Sequence, residues 1–558
     1  MRAVTHDGTP RARRAWSGIH GLLRRLGAWI DALGGTRGIG LLVVLATLVW
    51  VLQSVAWPVV PGRDLGTYLR YYTQMWEWHA VFPQAMLGRT PGTPLVVGPA
   101  LELGGVAVEL LMGALFVASI AAWTLAAASF DRRAAALVAA ILLLYPGYGA
   151  LFHQFSSDAL AAAGFAFWAL GAVRVSLRPG SLRFGLLGAG IVALVLVRPG
   201  YQALLVFGLA PLVLNGSLRE RVARTVAFVG VAGLLLFGWS THNAARYDDF
   251  TVARGASIVI PFARAFTEER IVAPENGEAS LRLARAVEAE LLVEEPYRSY
   301  GVDLDAFFSS GSTRMLEDLA SLSDRAFGWD SSYEVLREAG LEAVRRHPGA
   351  YAEGVARTMW QLLRGPAYVV PPARGRDGDG GRAQGPASPD PIVVEGRELP
   401  RPTDGEPIPS SHQGLWVSTP DHRIREVWTS PTDHHLVFRD PGDEARARRV
   451  DAEIARLLAR LPDRAGNSTL AHRLNQAAYR FPPPALWLGV GLVALAWRRP
   501  RNGRVALLLG GCSLVVLLVA ALGLPATGEY AMPVVPAFAL LAGVGLLGAR
   551  GAAAGRGT

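Results

Sequence analysis

The most distinctive acidic residue of this sequence is Asp64, which closely follows the first membrane-length apolar run. It lies in the segment Pro-Gly-Arg-Asp-Leu-Gly-Thr-Tyr, with Arg63 directly before it. A carboxylate at a membrane edge can act as a catalytic base. The structural alternative is that Asp64 only caps a helix that begins at Leu65.

Other ionisable residues stand at the same predicted membrane edge, where a charge is costly and needs a reason. They are Asp158, Arg198, Arg246 and Glu529. Asp158 could instead cap the helix that it opens, and Arg198 could extend its guanidinium to lipid headgroups. His153 could ligate a metal, although a histidine in such a place is more often a satisfied polar residue.

The composition is that of a membrane protein with several spans rather than a soluble domain. Of 558 residues, 51% are hydrophobic and only 18% are charged, and the mean hydropathy is +0.26. The sequence contains no lysine, so arginine supplies all the basic charge behind the formal net charge of +9. The single cysteine, Cys512, excludes a disulfide within the chain and a cysteine-based zinc site.

Apolar runs approaching the length needed to cross a bilayer, roughly 20 residues, predict an all-α polytopic fold with about ten transmembrane helices. The runs are 39–58, 106–129, 134–150, 157–174, 184–198, 201–215, 222–240, 485–497, 505–524 and 533–549. Only Pro199 and Gly200 separate 184–198 from 201–215, so these two runs form either a tight hairpin or one broken helix.

Arginine predicts the orientation of these helices. The short arginine-bearing loops all fall on one side if every predicted span is real; they are 132–133, 174–183, 219–224 and 498–504. The positive-inside rule makes that side, and both termini, cytoplasmic. We therefore expect a multi-pass protein of the plasma (inner) membrane with Asp64 on the extracytoplasmic face.

The same pattern divides the chain into four parts. They are a cytoplasmic basic amphipathic segment 1–38 with an interfacial helix at 15–34, a transmembrane module 39–240 with its first extracytoplasmic loop 59–105, an extracytoplasmic region 241–484, and a C-terminal transmembrane module 485–558. The first loop holds an aromatic-rich stretch, 65–88, predicted as one or two helices on the membrane; it serves either as an aromatic belt or in lipid binding.

We expect the extracytoplasmic region to be mainly helical. Periodicity predicts helices at 278–295, 332–346, 349–364 and 442–461. Residues 371–410 are rich in proline, glycine and charge, which predicts a mobile linker. Short strand-like runs occur at 392–394 and 414–417.

Several short motifs accompany Asp64 along the chain. They are Thr93-Pro94-Leu95, Arg198-Pro199, the stretch 239–250, and Glu529-Tyr530 followed by Pro533 and Pro536. Their order and sidedness resemble the GT-C superfamily of polyprenyl-phosphate-sugar-dependent glycosyltransferases, which includes protein O-mannosyltransferases and bacterial aminoarabinose transferases. The resemblance covers roughly 39–260 and 485–549. The chain departs from the family's common acidic pair, because Arg63 stands beside the aspartate.

This resemblance implies a glycosyltransferase that moves a sugar from a polyprenyl-phosphate donor to an extracytoplasmic acceptor hydroxyl with inversion. Asp64 matches the family's catalytic aspartate and would be the general base. Candidates for binding the donor phosphate are Arg63, Arg198, Arg246 and Tyr530, and further site candidates are Asp158, His153 and Glu529. The acceptor would be a cell-envelope glycan, lipid or protein, and no nucleic-acid partner is expected. The one cofactor considered is a divalent metal, without a defined ligand set.

Two other classes of function compete with this hypothesis. A transporter or lipid flippase should place ionisable residues at mid-span and preferably show paired repeats. In this sequence the ionisable residues gather at one predicted membrane face, and no repeat is evident. A non-catalytic membrane scaffold would be favoured if the charged residues of the outer face lay far apart.

Overall fold

The structure, a computed structural model, describes residues 36–255, 258–365, 368–370, 392–394, 396–401, 408, 414–431 and 433–549. The predicted interfacial helix 15–34 and most of the predicted linker 371–410 lie outside these ranges. Within that linker, the described residues include two short strands.

The part of the chain before residue 250 is built from helices joined by short connections. In chain order they are α1 (Thr36–Ala56), α2 (Leu65–Tyr72), α3 (Pro83–Leu87), α4 (Pro94–Leu103), α5 (Gly105–Ala128), α6 (Arg132–Leu144), α7 (Pro146–Phe152), α8 (Ser157–Leu177), α9 (Ser181–Val197), a 3₁₀ helix (Pro199–Leu209), α10 (Ala210–Val213) and α11 (Leu218–Tyr247). Two short strands, β1 (Val60–Pro61) and β2 (Gln154–Phe155), pair in parallel.

The following region combines helices with two antiparallel hairpins. Its elements are a π-helical segment (Ile258–Glu268), a 3₁₀ turn (Pro274–Asn276), α12 (Glu278–Ala286) with a π-helical extension (Val287–Leu291), α13 (Leu304–Ser310), α14 (Thr313–Phe327), a 3₁₀ turn (Trp329–Ser331), α15 (Glu334–Arg346), α16 (Pro348–Arg364), β3 (Ile392–Val394), β4 (Arg397–Leu399), α17 (Gly414–Val417), β5 (Ile424–Ser430), β6 (Asp433–Phe438), α18 (Pro441–Leu458) and α19 (Ser468–Arg480). The chain then continues through α20 (Pro484–Arg498), α21 (Gly503–Gly523), α22 (Gly528–Ala531) and α23 (Val535–Leu547).

Among the described residues, five helices are long and apolar enough to cross a membrane: α1 from Gly38, α5, α8, α11 and α21. The pair α6 and α7, bent by 68° where Pro146 interrupts the run, adds a sixth if it is one span. The predicted number of ten is therefore not confirmed. The runs 184–198, 201–215, 485–497 and 533–549 coincide with helical stretches of 13 to 17 residues, shorter than a span, and stay predictions.

The long helices bury one side and leave apolar side chains exposed on the other. Trp123 and Phe165 are fully buried where α5 packs on α8, whereas Leu48 on α1 and Leu234 and Phe237 on α11 are largely exposed. A soluble protein rarely leaves so much contiguous apolar surface uncovered, so this pattern is typical of helices that face lipid. The apolar helices thus support a membrane protein.

The region after α11 has its own hydrophobic core, formed by residues such as Phe262, Phe266, Leu283, Phe307 and Leu336. Among the described residues of this region, the prediction that it is mainly helical is confirmed. Two local expectations need correction. The run 414–417 forms the helical turn α17 rather than a strand, and the hairpin β5–β6 was not predicted.

The strand pair β1–β2 places the loop after α1 against the start of α8. Val60 pairs with Gln154 and Pro61 with Phe155, and the Gly62 amide donates to the Phe155 carbonyl at 3.2 Å. A Cβ atom on Gly62 would lie 2.5 Å from Cβ of Ser156. Only glycine therefore allows this approach, which brings the residues after Gly62 beside those after Phe155.

Candidate active site at the ends of the apolar helices

Asp64 occupies the N-cap position of α2 but does not cap it. Its backbone is left-handed, with φ 63° and ψ 8°, and its side chain makes no capping hydrogen bond. Aspartate tolerates this conformation better than most residues. The carboxylate is 39% exposed, and its Oδ2 lies 3.0 Å from Nη2 of Arg89. The capping alternative is therefore wrong, and the carboxylate instead meets a guanidinium at an accessible surface.

Arg89, the partner of Asp64, was missed in the sequence. Its guanidinium carbon lies 5.7 Å from the ring centre of Tyr68 and 4.9 Å from that of Trp416, so aromatic rings hold the charge in place. The one feature of the sequence that could have pointed to Arg89 is that it lies in the same predicted loop as Asp64. Trp416 belongs to α17 and could not have been connected with this loop from spacing.

Arg63 points to a different partner, Glu529 on α22. Nη1 of Arg63 lies 2.5 Å from Oε1 of Glu529, and the two side chains are 55% and 11% exposed. Burial acts to lower the pKa of Arg63, but Tyr530 and Glu529 act to raise it, and the net pKa is above its ordinary value. Arg63 is therefore a permanent positive charge with an accessible side chain.

Arg198 and Asp158 form a second ion pair, at the junction of α9 and α8. Arg198 directly follows the last residue of α9, and Asp158 lies in the first turn of α8 with a side chain only 4% exposed. Ser156 caps α8, because its hydroxyl accepts from the Asp158 amide at 3.3 Å. Asp158 is thus not the cap. Arg198 does not reach for headgroups either, because its guanidinium carbon lies 5.0 Å from the ring centre of Tyr530.

The beginning of α4 is fastened to the end of α9, which fixes Arg198 relative to the first loop. The Gly92 amide donates to the Leu196 carbonyl at 2.7 Å, and the Thr93 hydroxyl donates to the Val197 carbonyl at 3.0 Å. A Cβ atom on Gly92 would come within 2.6 Å of the Leu196 carbonyl oxygen. The Thr-Pro-Leu motif therefore has a structural role, because it joins α4 to α9 beside the charged residues.

These contacts join into one continuous group of residues, which we call the Asp64 cluster. Its members are Arg63, Asp64, Arg89, Asp158, Arg198, Glu529 and Tyr530. Arg63 links the first loop to Glu529, and the neighbouring Tyr530 lies under Arg198, which pairs with Asp158. The residues come from four separate parts of the chain but lie together. A non-catalytic scaffold was expected to have these charged residues far apart, so the arrangement does not favour that alternative.

Two predicted site residues lie apart from this cluster. Arg246, at the end of α11, donates to the Met75 carbonyl at 3.4 Å, and its guanidinium carbon lies 5.7 Å from the ring centre of Trp78. It therefore supports the aromatic segment after α2. His153 is fully buried, and its ring stacks on Trp50 with centres 4.2 Å apart. That position is typical of a packed aromatic side chain rather than a ligand.

Glu317 on α14 is a second carboxylate near Asp64, and no sequence motif pointed to it. Burial, the adjacent Asp318 and the charge of Asp64 raise the pKa of Glu317 to about 7, while Arg89 and Arg63 oppose the increase. A carboxyl group with this pKa changes its charge near neutral pH. The residue lies in a region for which the sequence offered only helical periodicity.

Tyr368 also lies beside the cluster. Its hydroxyl donates to Oε1 of Gln154 at 2.9 Å, and Gln154 belongs to β2, next to the segment that carries Asp158. Burial raises the pKa of Tyr368, as does Glu529, whereas Arg198 and Arg63 lower it. The hydroxyl is therefore neutral at neutral pH, and its proton is engaged by Gln154.

The described residues offer no group of three or more histidine, cysteine, aspartate or glutamate side chains arranged to hold a metal ion. Asp64 faces Arg89, and Glu529 and Asp158 each face an arginine. The donor set therefore does not fit the divalent metal considered from the sequence. What the cluster offers is an accessible carboxylate in contact with one guanidinium, Arg89, and two further guanidinium groups, Arg63 and Arg198, each paired with another carboxylate. Such a combination is suited to proton transfer beside a phosphate.

Comparisons with known proteins give only a coarse likeness. No protein-family model matches the chain, and no curated protein matches its sequence. Among solved structures, the chain is similar to the apo oligosaccharyltransferase of Archaeoglobus fulgidus at 11% identity and a TM-score of 0.39. That similarity covers 91% of this chain but only 50% of the archaeal enzyme. The chain thus spans about half the length of that enzyme, and a likeness this distant assigns neither a family nor an activity.

Proposed function

We propose that this chain is a membrane glycosyltransferase that moves a sugar from a polyprenyl-phosphate donor to a hydroxyl of an extracytoplasmic acceptor. The observation that carries the proposal is the position of the Asp64 carboxylate, 3.0 Å from Arg89 and adjacent in sequence to the Arg63–Glu529 pair. A base and phosphate-binding charges thus meet where apolar helices end.

The donor phosphate would bind between Arg63 and Arg198. A guanidinium matches the geometry of phosphate oxygens and stays charged at every physiological pH. Glu529 and Asp158 hold these two arginines in position before the donor arrives. Tyr530 lies beside both arginines and adds a hydroxyl that can donate to the phosphate. A lipid-linked donor suits this place, because its prenyl chain can remain in the bilayer while its phosphate reaches the edge.

The reaction would be a single displacement. Asp64 takes the proton of the acceptor hydroxyl while that oxygen attacks the anomeric carbon from the face opposite the phosphate. The bond from the anomeric carbon to the phosphate oxygen breaks, its electron pair leaves with the phosphate, and the configuration inverts. The arginines stabilise the charge on the departing phosphate, so no general acid is required. Arg89 orients the Asp64 carboxylate.

The arginine-rich loops support a plasma-membrane protein with both termini in the cytoplasm and the Asp64 cluster on the opposite side. Nucleotide sugars are scarce on that side, which favours a lipid-linked donor. The acceptor is a cell-envelope glycan, lipid or protein that presents a free hydroxyl.

The test is transfer by Asp64→Asn, assayed with the full chain in lipid nanodiscs and a panel of radiolabelled prenyl-phosphate sugars. Loss of the base should lower the rate at least about 100-fold, with folding unchanged. Asp248→Asn is the matched control, because Asp248 also has a left-handed backbone, with φ 56°, but ends α11 outside the cluster. Undiminished transfer by a folded Asp64→Asn variant would disprove the assignment.

A further inference from the structure

A recess of about 380 Å³ lies on the exposed side of α19, and it shares no residue with the Asp64 cluster. We call it the α19 recess. Its volume is within the range of about 300–1,000 Å³ that is typical of small-ligand sites. Six residues line it: Arg473, Gln476, Ala477, Arg480, Phe481 and Pro482.

Most of this lining comes from one face of the helix. The residues at positions 473, 476, 477 and 480 follow the spacing i, i+3, i+4, i+7, which places their side chains on one side of α19. Positions 473 and 480 are two turns apart, about 10 Å along the axis, with the short side chain of Ala477 between them. The opposite face packs against the main hydrophobic core through Leu474. The recess is therefore the surface that α19 presents outward.

The two arginines of the recess carry charge that the protein does not balance. Within the part of the chain that the structure describes, neither Arg473 nor Arg480 forms an ion pair or a side-chain hydrogen bond, and no acidic residue lines the recess. Arg464, shortly before α19, differs, because its Nε lies 2.6 Å from Oε1 of Glu109. Two guanidinium groups without a carboxylate are suited to a phosphate, whose oxygens accept several N–H bonds at once.

The recess lies directly before an apolar helix. α20 begins at Pro484, two positions after Pro482, and the Trp487 indole donates to the Pro482 carbonyl at 3.2 Å. Leu486 and Val493 of α20 are 48% and 67% exposed, so apolar surface follows the arginines along the chain. Lipid headgroups lie where such helices leave the hydrocarbon, and tryptophan is enriched at that level. A phosphate in the α19 recess would thus have apolar surface nearby for the chains attached to it.

We propose that the α19 recess binds the phosphate of an anionic diacyl phospholipid of the surrounding bilayer. Its two arginines would hold the phosphate from both sides, while the acyl chains run beside α20. A bulk phospholipid is always present at a lipid-facing surface, whereas none of the six lining residues is a carboxylate that could act on a rarer sugar-bearing lipid. An anionic headgroup suits two guanidinium groups better than a zwitterionic one, whose ammonium group they would repel. The inference rests on the membrane character of the protein and not on the proposed transfer reaction.

A lipid bound here should stabilise the folded protein. α19 packs against α1 and α7, and the amide of its N-cap, Asn467, donates to the Val55 carbonyl at 2.9 Å. The helix is therefore part of the packed structure around the end of α1. A ligand that binds only the folded state raises the free energy of unfolding as its concentration exceeds its Kd. Stability is thus a direct readout of the site.

The experiment compares the full chain in nanodiscs of phosphatidylcholine alone with nanodiscs that also contain phosphatidylglycerol. Thermal unfolding measures the stabilisation by the anionic lipid, and native mass spectrometry measures the lipid that stays bound. The double variant Arg473→Gln with Arg480→Gln should weaken phosphatidylglycerol binding at least about tenfold and lose most of the stabilisation. Ala477→Leu should do the same without a change of charge, because its longer side chain fills the space between the arginines.

The matched control is the double variant Arg132→Gln with Arg133→Gln. These arginines are also exposed and carry the same charge at the start of α6, but they do not line the recess. Their removal should leave phosphatidylglycerol binding nearly unchanged, because they contribute only the general attraction of positive charge to an anionic bilayer.

Four results would overturn the inference. Equal effects of the two double variants would mean that general charge attraction explains the binding. Normal phosphatidylglycerol binding by Ala477→Leu would show that the recess is not the site. Stabilisation by inorganic phosphate in phosphatidylcholine nanodiscs, equal to that by phosphatidylglycerol, would make the recess a site for a free anion. Tighter binding of a prenyl phosphate, which displaces phosphatidylglycerol from the recess, would assign it to that class of lipid instead.

Discussion

Arg63 and Glu529 form an ion pair across 466 positions of the chain, with Nη1 and Oε1 2.5 Å apart. Arg63 belongs to the loop after α1, and Glu529 belongs to α22, between the last two apolar helices. The pair therefore requires the loop after α1 and the short helix α22 to come together before the Asp64 cluster is complete. Because Arg63 is 55% exposed, the pair itself adds little stability, and its value lies in positioning.

Arg63→Met tests whether this positive charge binds the donor. A charged hydrogen bond of about 1.5–3 kcal/mol corresponds to a loss of roughly 10- to 100-fold in transfer, because each 1.4 kcal/mol is about tenfold. The apparent melting temperature should fall modestly, because the Glu529 side chain, 11% exposed, loses its counterion. Arg282→Met is a matched control, since Arg282 is 51% exposed and pairs with Glu338 at 3.1 Å far from the cluster. Equal activity of the two variants would contradict a role for Arg63.

Gly62→Ala tests the close approach between the first loop and the start of α8. The added Cβ would lie 2.5 Å from Cβ of Ser156 and 3.2 Å from the Phe155 backbone, so the strand pair must open. We expect a destabilisation of about 1–3 kcal/mol, seen in thermal unfolding, together with a loss of transfer.

Gly66→Ala provides the matched control for that variant. Gly66 lies four positions later, inside α2, and a Cβ there would meet nothing within 4 Å. Alanine favours a helix over glycine by about 0.5–1 kcal/mol, so stability should be unchanged or slightly higher. Similar damage from both substitutions would show that the loop tolerates no side chain at all, rather than that Gly62 meets Ser156.

The acidic and basic residues at the predicted membrane edge could be found in the sequence because a charge there is costly and rare. Their meeting was suggested by a shared predicted face, and the structure brings Asp64, Asp158, Arg198 and Glu529 together. Arg246 carried the same signal but lies against Trp78 instead. The predicted side of the membrane therefore limits the candidate site residues to one face of the protein. It does not show which of their side chains are in contact.

Arg89 and Glu317 show what the sequence could not supply. Arg89 reaches Asp64 across the turn after α3, and Glu317 lies near Asp64 only because α14 packs there from a region 250 positions away. Such contacts depend on tertiary packing, which periodicity does not encode. The predicted number of ten spans is not confirmed for a related reason, because proline at positions such as 146 and 199 shortens helices that hydropathy alone would extend.

Asp158→Asn should destabilise the protein more than the loss of an exposed ion pair. The Asp158 side chain is 4% exposed, so this variant leaves the Arg198 charge poorly compensated, at a cost of about 3–5 kcal/mol. The double variant Asp158→Asn with Arg198→Met removes both charges and should recover part of that loss. The measurement is a double-mutant cycle of apparent unfolding free energies. Additive effects, with no recovery, would mean that the two charges do not compensate each other.

Glu317→Gln tests the carboxyl group whose pKa burial and its acidic neighbours raise to about 7. In the unfolded chain, Glu317 has its ordinary pKa of 4.5. Between pH 4.5 and 7, Glu317 is therefore mostly protonated in the folded state and mostly ionised in the unfolded state. Stability should therefore fall as pH rises through this window, by up to about 3 kcal/mol, and the substitution should remove that slope.

Glu342→Gln should change the pH dependence of stability in the opposite direction to Glu317→Gln. Burial acts to raise the pKa of Glu342, but hydrogen bonds from the Ala279 and Ser280 amides lower it overall. The stability from that group is present above the unfolded pKa and is lost as pH falls through the folded one. Unfolding curves at several pH values should thus show Glu317→Gln gaining most near neutrality and Glu342→Gln losing most there. Parallel pH dependences of wild type and Glu317→Gln would show that Glu317 ionises freely and is not coupled to Asp64.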